Sequence, residues 1–315
     1  MVRQSFFQPY LSESSLGTRH IQFERQWNRL DALTRSGVPI DCIALGNSMT
    51  YNGFDPRTFN RVFSKWSGRK ITCFNFGVDA LTPVSASALA RILLETYQPR
   101  LLIYGIDARD FAIDFDSEET SVIMDADWIQ YQLGHPNLKG WLVEHSSLYR
   151  YRHSLTDFAP LAASEDLSSA AKYGYGPMDD VFDSTTLPDP KDDWFHVQYY
   201  FGVLKDYSVR PENRQALSEL VRLQEMGTTM VVVEMPVSDM YFHFFEDPMV
   251  GYGQFLKAVR EITTDYDVLL VETSGRPIIP PDGWMDYVHV NRKGASVFSA
   301  WLGRQLGQKL QLEPR

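Results

Sequence analysis

Residues 41–50 read Asp-Cys-Ile-Ala-Leu-Gly-Asn-Ser-Met-Thr. Asp41 to Gly46 is a short apolar run closed by glycine, which predicts a strand buried on both faces. Asp55-Pro56 follows and predicts a helix start, with proline in the first turn. Phe59, Val62, Phe63 and Trp66 give that helix an apolar face. Upstream, Phe23, Trp27, Leu30 and Leu33 fall at helical spacing over Ile21 to Ser36, and Gly37 and Pro39 stop the helix. Downstream, Ile71 to Phe76 reads as a strand, Ser85 to Tyr97 as a helix and Leu101 to Ile106 as a third strand. Strands alternating with helices imply parallel strands joined by right-handed crossovers.

The alternation breaks over roughly residues 112–208, which are rich in Asp, Ser, Pro and aromatics. Within them, Asn137 to Tyr151 reads as a helix and Trp194 to Leu204 as an aromatic run. A connection this long carries structure of its own. It is expected to form a cap or side insertion, with plain surface decoration as the alternative. The pattern then resumes: helix Pro211 to Met226, strand Met230 to Met235, helix Gly253 to Ile262, strand Val268 to Glu272 and a closing helix Lys293 to Leu310. The expected fold is one three-layer α/β/α domain over residues 1–315, with a five-stranded parallel, flavodoxin-like sheet and the insertion between strands 3 and 4.

The chain has 315 residues, 44% of them hydrophobic and 22% charged, enough for a large core without disulfide or metal support. Its formal charge of −10 disfavours nucleic acid or an anionic membrane as the main partner. No stretch approaches the roughly 20 apolar residues of a membrane span, and the first residues lack a leader pattern. The expectation is a cytoplasmic protein, or an extracytoplasmic one if the chain has been trimmed. The two cysteines, Cys42 and Cys73, lie in strand-like runs and are expected to be buried small hydrophobes. A disulfide is open to them if the two strands are neighbours.

In an open parallel sheet, ligands bind beyond the carboxyl ends of the strands. The residues there are Gly46-Asn47-Ser48, Gly77, Gly105-Ile106-Asp107 and, before the last helix, Asp286-Tyr-Val-His289. A serine hydroxyl needs a base to become a nucleophile. Histidine titrates near neutrality, and a carboxylate fixes its tautomer and stabilises its charged form. Ser48, His289 and Asp286 are therefore the candidate nucleophile, base and orienting acid. The backbone N–H groups of Ser48 and Gly77 are candidate oxyanion donors.

These blocks resemble, in order, those of the SGNH hydrolases, the GDSL esterase and lipase superfamily. The likeness covers about residues 40–110 and 212–310. It is most specific at Asp286 to His289 and the run Val-Asn-Arg-Lys-Gly-Ala after it. It implies an acyl-Ser48 intermediate, a carbohydrate, lipid or other small-molecule ester substrate, and neither cofactor nor metal. Two residues depart from the pattern. Asn47 stands where the family has Asp, and is a candidate extra donor. Asp107 stands where the family has the Asn that donates to the oxyanion, and an ionised carboxylate would repel that charge; it is read as protonated, as turned away to pair with Arg109, or as serving another role. The divergent blocks and the insertion are similar to membrane-associated proteins that acetylate alginate or help transfer D-alanine to teichoic acid. An O-acyltransferase on a polysaccharide and an inactive binding protein are thus the alternatives to an esterase.

Each residue also has a plainer reading. Serine after a strand is often a turn or cap residue, and Gly77 can simply end a strand. The other histidines (His20, His135, His145, His153, His196 and His243) lack metal-ligand spacing. Trp194, Phe195, Tyr199 and Tyr200 either line a cleft or pack the insertion.

Overall fold

The structure is a computed structural model. It describes residues 15–113, 118–152, 171–182, 189, 191, 195–310 and 312. Helix α1 (Ile21–Arg35) leads into β1 (Cys42–Gly46), α2 (Ser48–Gly53), α3 (Pro56–Ser67), β2 (Cys73–Gly77), α4 (Pro83–Tyr97) and β3 (Leu101–Ile106). After β3 come the short helices α5 (Ala108–Ala112), α6 (Glu118–Met124), α7 (Asp127–Gln132), α8 (Leu138–His145), α9 (Ser147–Arg150) and α10 (Phe195–Leu204). Helix α11 (Pro211–Arg222), β4 (Thr229–Glu234), α12 (Pro248–Asp265), β5 (Leu269–Val271) and α13 (Arg292–Lys309) complete the order.

All five strands are parallel, in the order β2-β1-β3-β4-β5. This is the flavodoxin-like order, whose switch point lies between β1 and β3. Residues of β1, β2 and β3 are buried without exception, so these strands read as continuous apolar runs rather than alternating ones. Helix α3 packs on α13, while α4 packs on α11 and α11 on α12. Right-handed crossovers place these two groups on opposite faces of the sheet. The architecture is the expected three-layer α/β/α sandwich.

The connection between β3 and β4 joins the main core. Ile123, Trp128, Val143, Val197 and Leu204 belong to one buried cluster with the strand residues. Trp128 meets Trp27 of α1 edge-on, with ring centroids 4.7 Å apart. One expectation here is corrected in detail. The helix read over Asn137 to Tyr151 is two helices, because the Ser146 hydroxyl accepts the Tyr149 N–H at 3.2 Å and starts α9 anew. Tyr200 packs against Tyr241 and Phe244. Trp194 lies outside the described residues.

The cysteine expectation also changes. β1 and β2 are direct neighbours with Cys42 opposite Cys73, their Cα atoms 4.3 Å apart, and the two form a disulfide. Side chains of facing residues in parallel strands point the same way, which makes the bond available. No helix among the described residues is long and apolar enough to cross a membrane.

Candidate active site

Ser48 opens α2 at the carboxyl end of β1. Asn47 caps this helix, its Oδ1 accepting the Met49 N–H at 2.8 Å. A six-residue helix has little stability of its own, so tertiary contacts hold it. Asn75, a polar residue inside the apolar run of β2, donates its Nδ2 to the carbonyls of Thr50, Tyr51 and Phe54 at 2.8, 3.1 and 2.7 Å. Those carbonyls are at the C-terminal half of α2 and have few intrahelical partners. The strand ends are bare where α2 lies on them. A Cβ on Gly77 would meet the backbone of Tyr51, and one on Gly105 would meet the side chains of Thr50 and Met235.

The second half of the site is the loop before α13. Trp284 and Val290 form an antiparallel bridge that folds residues 284–290 back on themselves. Asp286 Oδ1 accepts the backbone N–H groups of Val288 and His289 at 2.8 and 2.7 Å. Its Oδ2 lies 2.7 Å from His289 Nδ1, and His289 Nε2 lies 2.8 Å from Ser48 Oγ. A carboxylate can only accept, so Nδ1 carries the imidazole proton and Nε2 is left to accept from the serine hydroxyl. Burial pushes the Asp286 carboxyl up. The adjacent His289 and the three hydrogen bonds outweigh burial and hold the carboxyl below the ordinary range. Ser48 and His289 are half-buried, so both side chains keep some contact with solvent.

The structure brings Ser48, Asp286 and His289 together. It uses the other candidate residues differently from the sequence expectation. The Gly77 N–H donates to Asn75 Oδ1 at 2.8 Å, so it is engaged within its own strand. What Gly77 supplies is room for α2. Asn47 is no spare donor, because its Nδ2 is bound to both carboxylate oxygens of buried Asp110 at 3.1 and 2.9 Å. Asp107 is 1% exposed. Its Oδ1 caps α5 by accepting the Asp110 N–H at 3.0 Å, and its Oδ2 has no partner. Arg109 pairs with Asp110, not with Asp107. Burial, and then the charge of Asp110, pushes the Asp107 carboxyl up to about 8. That leaves the Ser48 N–H, in the first turn of α2 where no intrahelical acceptor exists, as the backbone donor beside the Ser48 hydroxyl.

Sequence reasoning missed Asn75 and Asp110, which position Ser48. The signal for Asn75 was present: an amide within Cys-Phe-Asn-Phe-Gly must find buried partners. Among the described residues no cluster of His, Cys, Asp or Glu is arranged to hold a metal ion.

No protein-family model matches the chain, and no curated protein matches it. Several solved structures are similar. The lipase/acylhydrolase from Enterococcus faecalis has 12% identity and a TM-score of 0.42, covering 88% of this chain and 100% of that one. The inhibitor-bound aryl esterase of M. Smegmatis has 11% identity and a TM-score of 0.40, covering 85% and 99%. A protein described as lipolytic and of the G-D-S-L family, from Desulfitobacterium hafniense DCB-2, has 8% identity and a TM-score of 0.36, covering 84% and 97%. The chain is a three-layer α/β/α protein built on a five-stranded parallel sheet. Likeness at these identities and scores does not extend to an activity.

Proposed function

We propose that the chain is an ester hydrolase that works through an acyl-Ser48 intermediate. One observation carries this reading: the unbroken chain Ser48 Oγ, His289 Nε2, His289 Nδ1, Asp286 Oδ2, with links of 2.8 and 2.7 Å. The Ser48 oxygen attacks the ester carbonyl carbon while its proton passes to His289 Nε2. The carbonyl oxygen becomes an oxyanion facing the Ser48 N–H. Collapse of the intermediate breaks the bond to the alcohol oxygen, which leaves with the proton from His289. Water then attacks the acyl-serine with His289 again as base, releasing the acid and restoring Ser48. Asp286 holds the imidazole in the required tautomer and offsets its charge during both transfers.

Acyl transfer to a sugar would share the first half of this sequence and differ only in the acceptor. The inactive-binder alternative rested on Asp107, which is buried in the cap of α5 and makes none of the triad's contacts. The test is p-nitrophenyl acetate hydrolysis by the native chain and by Ser48→Ala. A loss on the order of 1,000-fold or more is expected. Equal rates would overturn the proposal.

A further inference from the structure

A buried line of polar side chains runs from α5 to the residue before Ser48. Asp110, in the first turn of α5, is 0% exposed, and Asn47 and Arg109 are 2% and 8% exposed. Arg109 donates to Asp110 Oδ1 from both Nε and Nη2. From the other side, Asn47 Nδ2 spans the two Asp110 oxygens. The Asp110 N–H is held by Asp107 Oδ1. One guanidinium serves two buried carboxyl groups, and it pairs with Asp110. Asp110 is therefore the balanced negative charge of this cluster.

A buried ion pair often adds no stability over well-packed apolar residues of similar volume. What this one adds is direction. A carboxylate only accepts hydrogen bonds, whereas an amide donates at one end and accepts at the other. Asp110 therefore admits only the NH₂ end of Asn47. The Oδ1 end must then point away, where it accepts the Met49 N–H at 2.8 Å. With the amide reversed, oxygen would face carboxylate and NH₂ would face N–H, so both contacts would be lost together.

Asn47 also accepts the Thr50 and Tyr51 N–H groups on its carbonyl, each at 3.0 Å. Its side chain and main chain thus hold the first turn of α2. That turn carries both the Ser48 hydroxyl and the Ser48 N–H.

We propose that Asp110, with Arg109 as its counter-charge, is the positioning residue for Ser48: its acceptor-only carboxylate fixes the Asn47 amide, and that amide sets the turn that aims Ser48 at His289. Asp110 touches no reacting atom and acts through Asn47. The inference rests on the ester-hydrolase reading for its effect on turnover, while the orientation of the amide is independent of it.

The test uses the full chain and p-nitrophenyl acetate. Asp110→Asn keeps the shape but removes the charge and lets the Asn47 amide turn over. Its kcat is expected to fall about 10- to 100-fold, as for a slight misplacement of reacting atoms, with KM within about threefold of native. Asn47→Asp sets two carboxyl groups face to face and is expected to lose at least as much. The double exchange Asn47→Asp/Asp110→Asn again pairs one carboxylate with one amide, and the carboxylate can still cap Met49. It is expected to recover kcat to within about fivefold of native, a coupling that independent sites do not show. Asn47→Ser keeps a cap for α2 but is too short to bridge to Asp110, and it stands in if urea unfolding shows Asp110→Asn unfolded. A cluster that serves stability alone would lower the urea midpoint and leave kcat unchanged. Native kcat in Asp110→Asn, or a double exchange no better than the single variants, would overturn the inference. Hydrogen exchange at the Met49 amide reads the cap without turnover, and is expected to quicken in Asp110→Asn and slow again in the double exchange. If the native chain shows no Ser48-dependent hydrolysis, the ester-hydrolase reading fails, and unchanged Met49 exchange in Asp110→Asn is the separate result that would overturn the role of Asp110.

Discussion

Asp286 and Asp107 are both buried aspartates near strand ends, and their surroundings set them apart. Asp286 accepts three hydrogen bonds and stays ionised beside His289. Asp286→Asn keeps the shape but permits the wrong imidazole tautomer, so kcat for p-nitrophenyl acetate is expected to fall by about 100- to 10,000-fold with the fold unchanged. A fall of under threefold would separate Asp286 from the chemistry. Asp107 accepts one hydrogen bond and faces Asp110, so it keeps its proton. The folded chain then holds a proton that the unfolded chain has released between pH 3.8 and about 8. Stability is expected to fall as pH rises through that window, by up to about 1.4 kcal/mol per pH unit from this group. Asp107→Asn is expected to flatten the slope, so urea unfolding at pH 5 and pH 8 would show the variant gaining most at pH 8. An unchanged slope would assign the pH dependence elsewhere. The Asp in place of Asn was visible in the sequence, but its lack of a partner was not. That depends on Arg109 turning to Asp110, a choice made by three-dimensional packing.

Among the elements, the strands and long helices were legible because burial on two faces or one leaves a clear period. The helix read as Gly253 to Ile262 is Pro248–Asp265, longer at both ends, since Asp247 caps it through Met249 and Val250. Helix α2 left no such trace. Six residues make less than two turns, and its stability comes from Asn75 and from bare strand ends elsewhere in the chain. Asn75→Ala leaves two carbonyls of α2, that of its C-cap Phe54 and the Gly77 N–H without this partner, and is expected to cost about 2–4 kcal/mol in denaturant unfolding. Gly77→Ala drives a methyl into the Tyr51 backbone and is expected to cost about 1–3 kcal/mol and to lower turnover by moving Ser48. Wild-type stability in both would remove the proposed support of α2. The connection from β3 to β4 was the least legible part, because helices of four to eight residues between Leu138 and Arg150 are too short to register a period.

For the whole molecule, the decisive link is between distant parts of the chain: residues 48 and 289 meet because parallel strands deliver their ends to one rim. The disulfide acts at this scale too. It closes a loop over a separation of 31 residues and restricts the unfolded chain. Reduction is expected to lower the unfolding free energy by about 3 kcal/mol, read as a shift of the urea midpoint with and without reductant. Denatured, unreduced protein is expected to show no titratable thiol; two free thiols would restore the expectation of separate buried cysteines. Such a bond persists in oxidising surroundings. Cys42 and Cys73 lie at the strand starts and Ser48 beyond the strand ends, so low reductant that leaves the chain folded is expected to leave ester hydrolysis intact.

The glycine ledge beneath α2 carries a consequence for the height at which Ser48 sits. A side chain at position 77 would meet the Tyr51 backbone and one at 105 the Thr50 and Met235 side chains, so neither strand end can grow without lifting the helix that Ser48 opens.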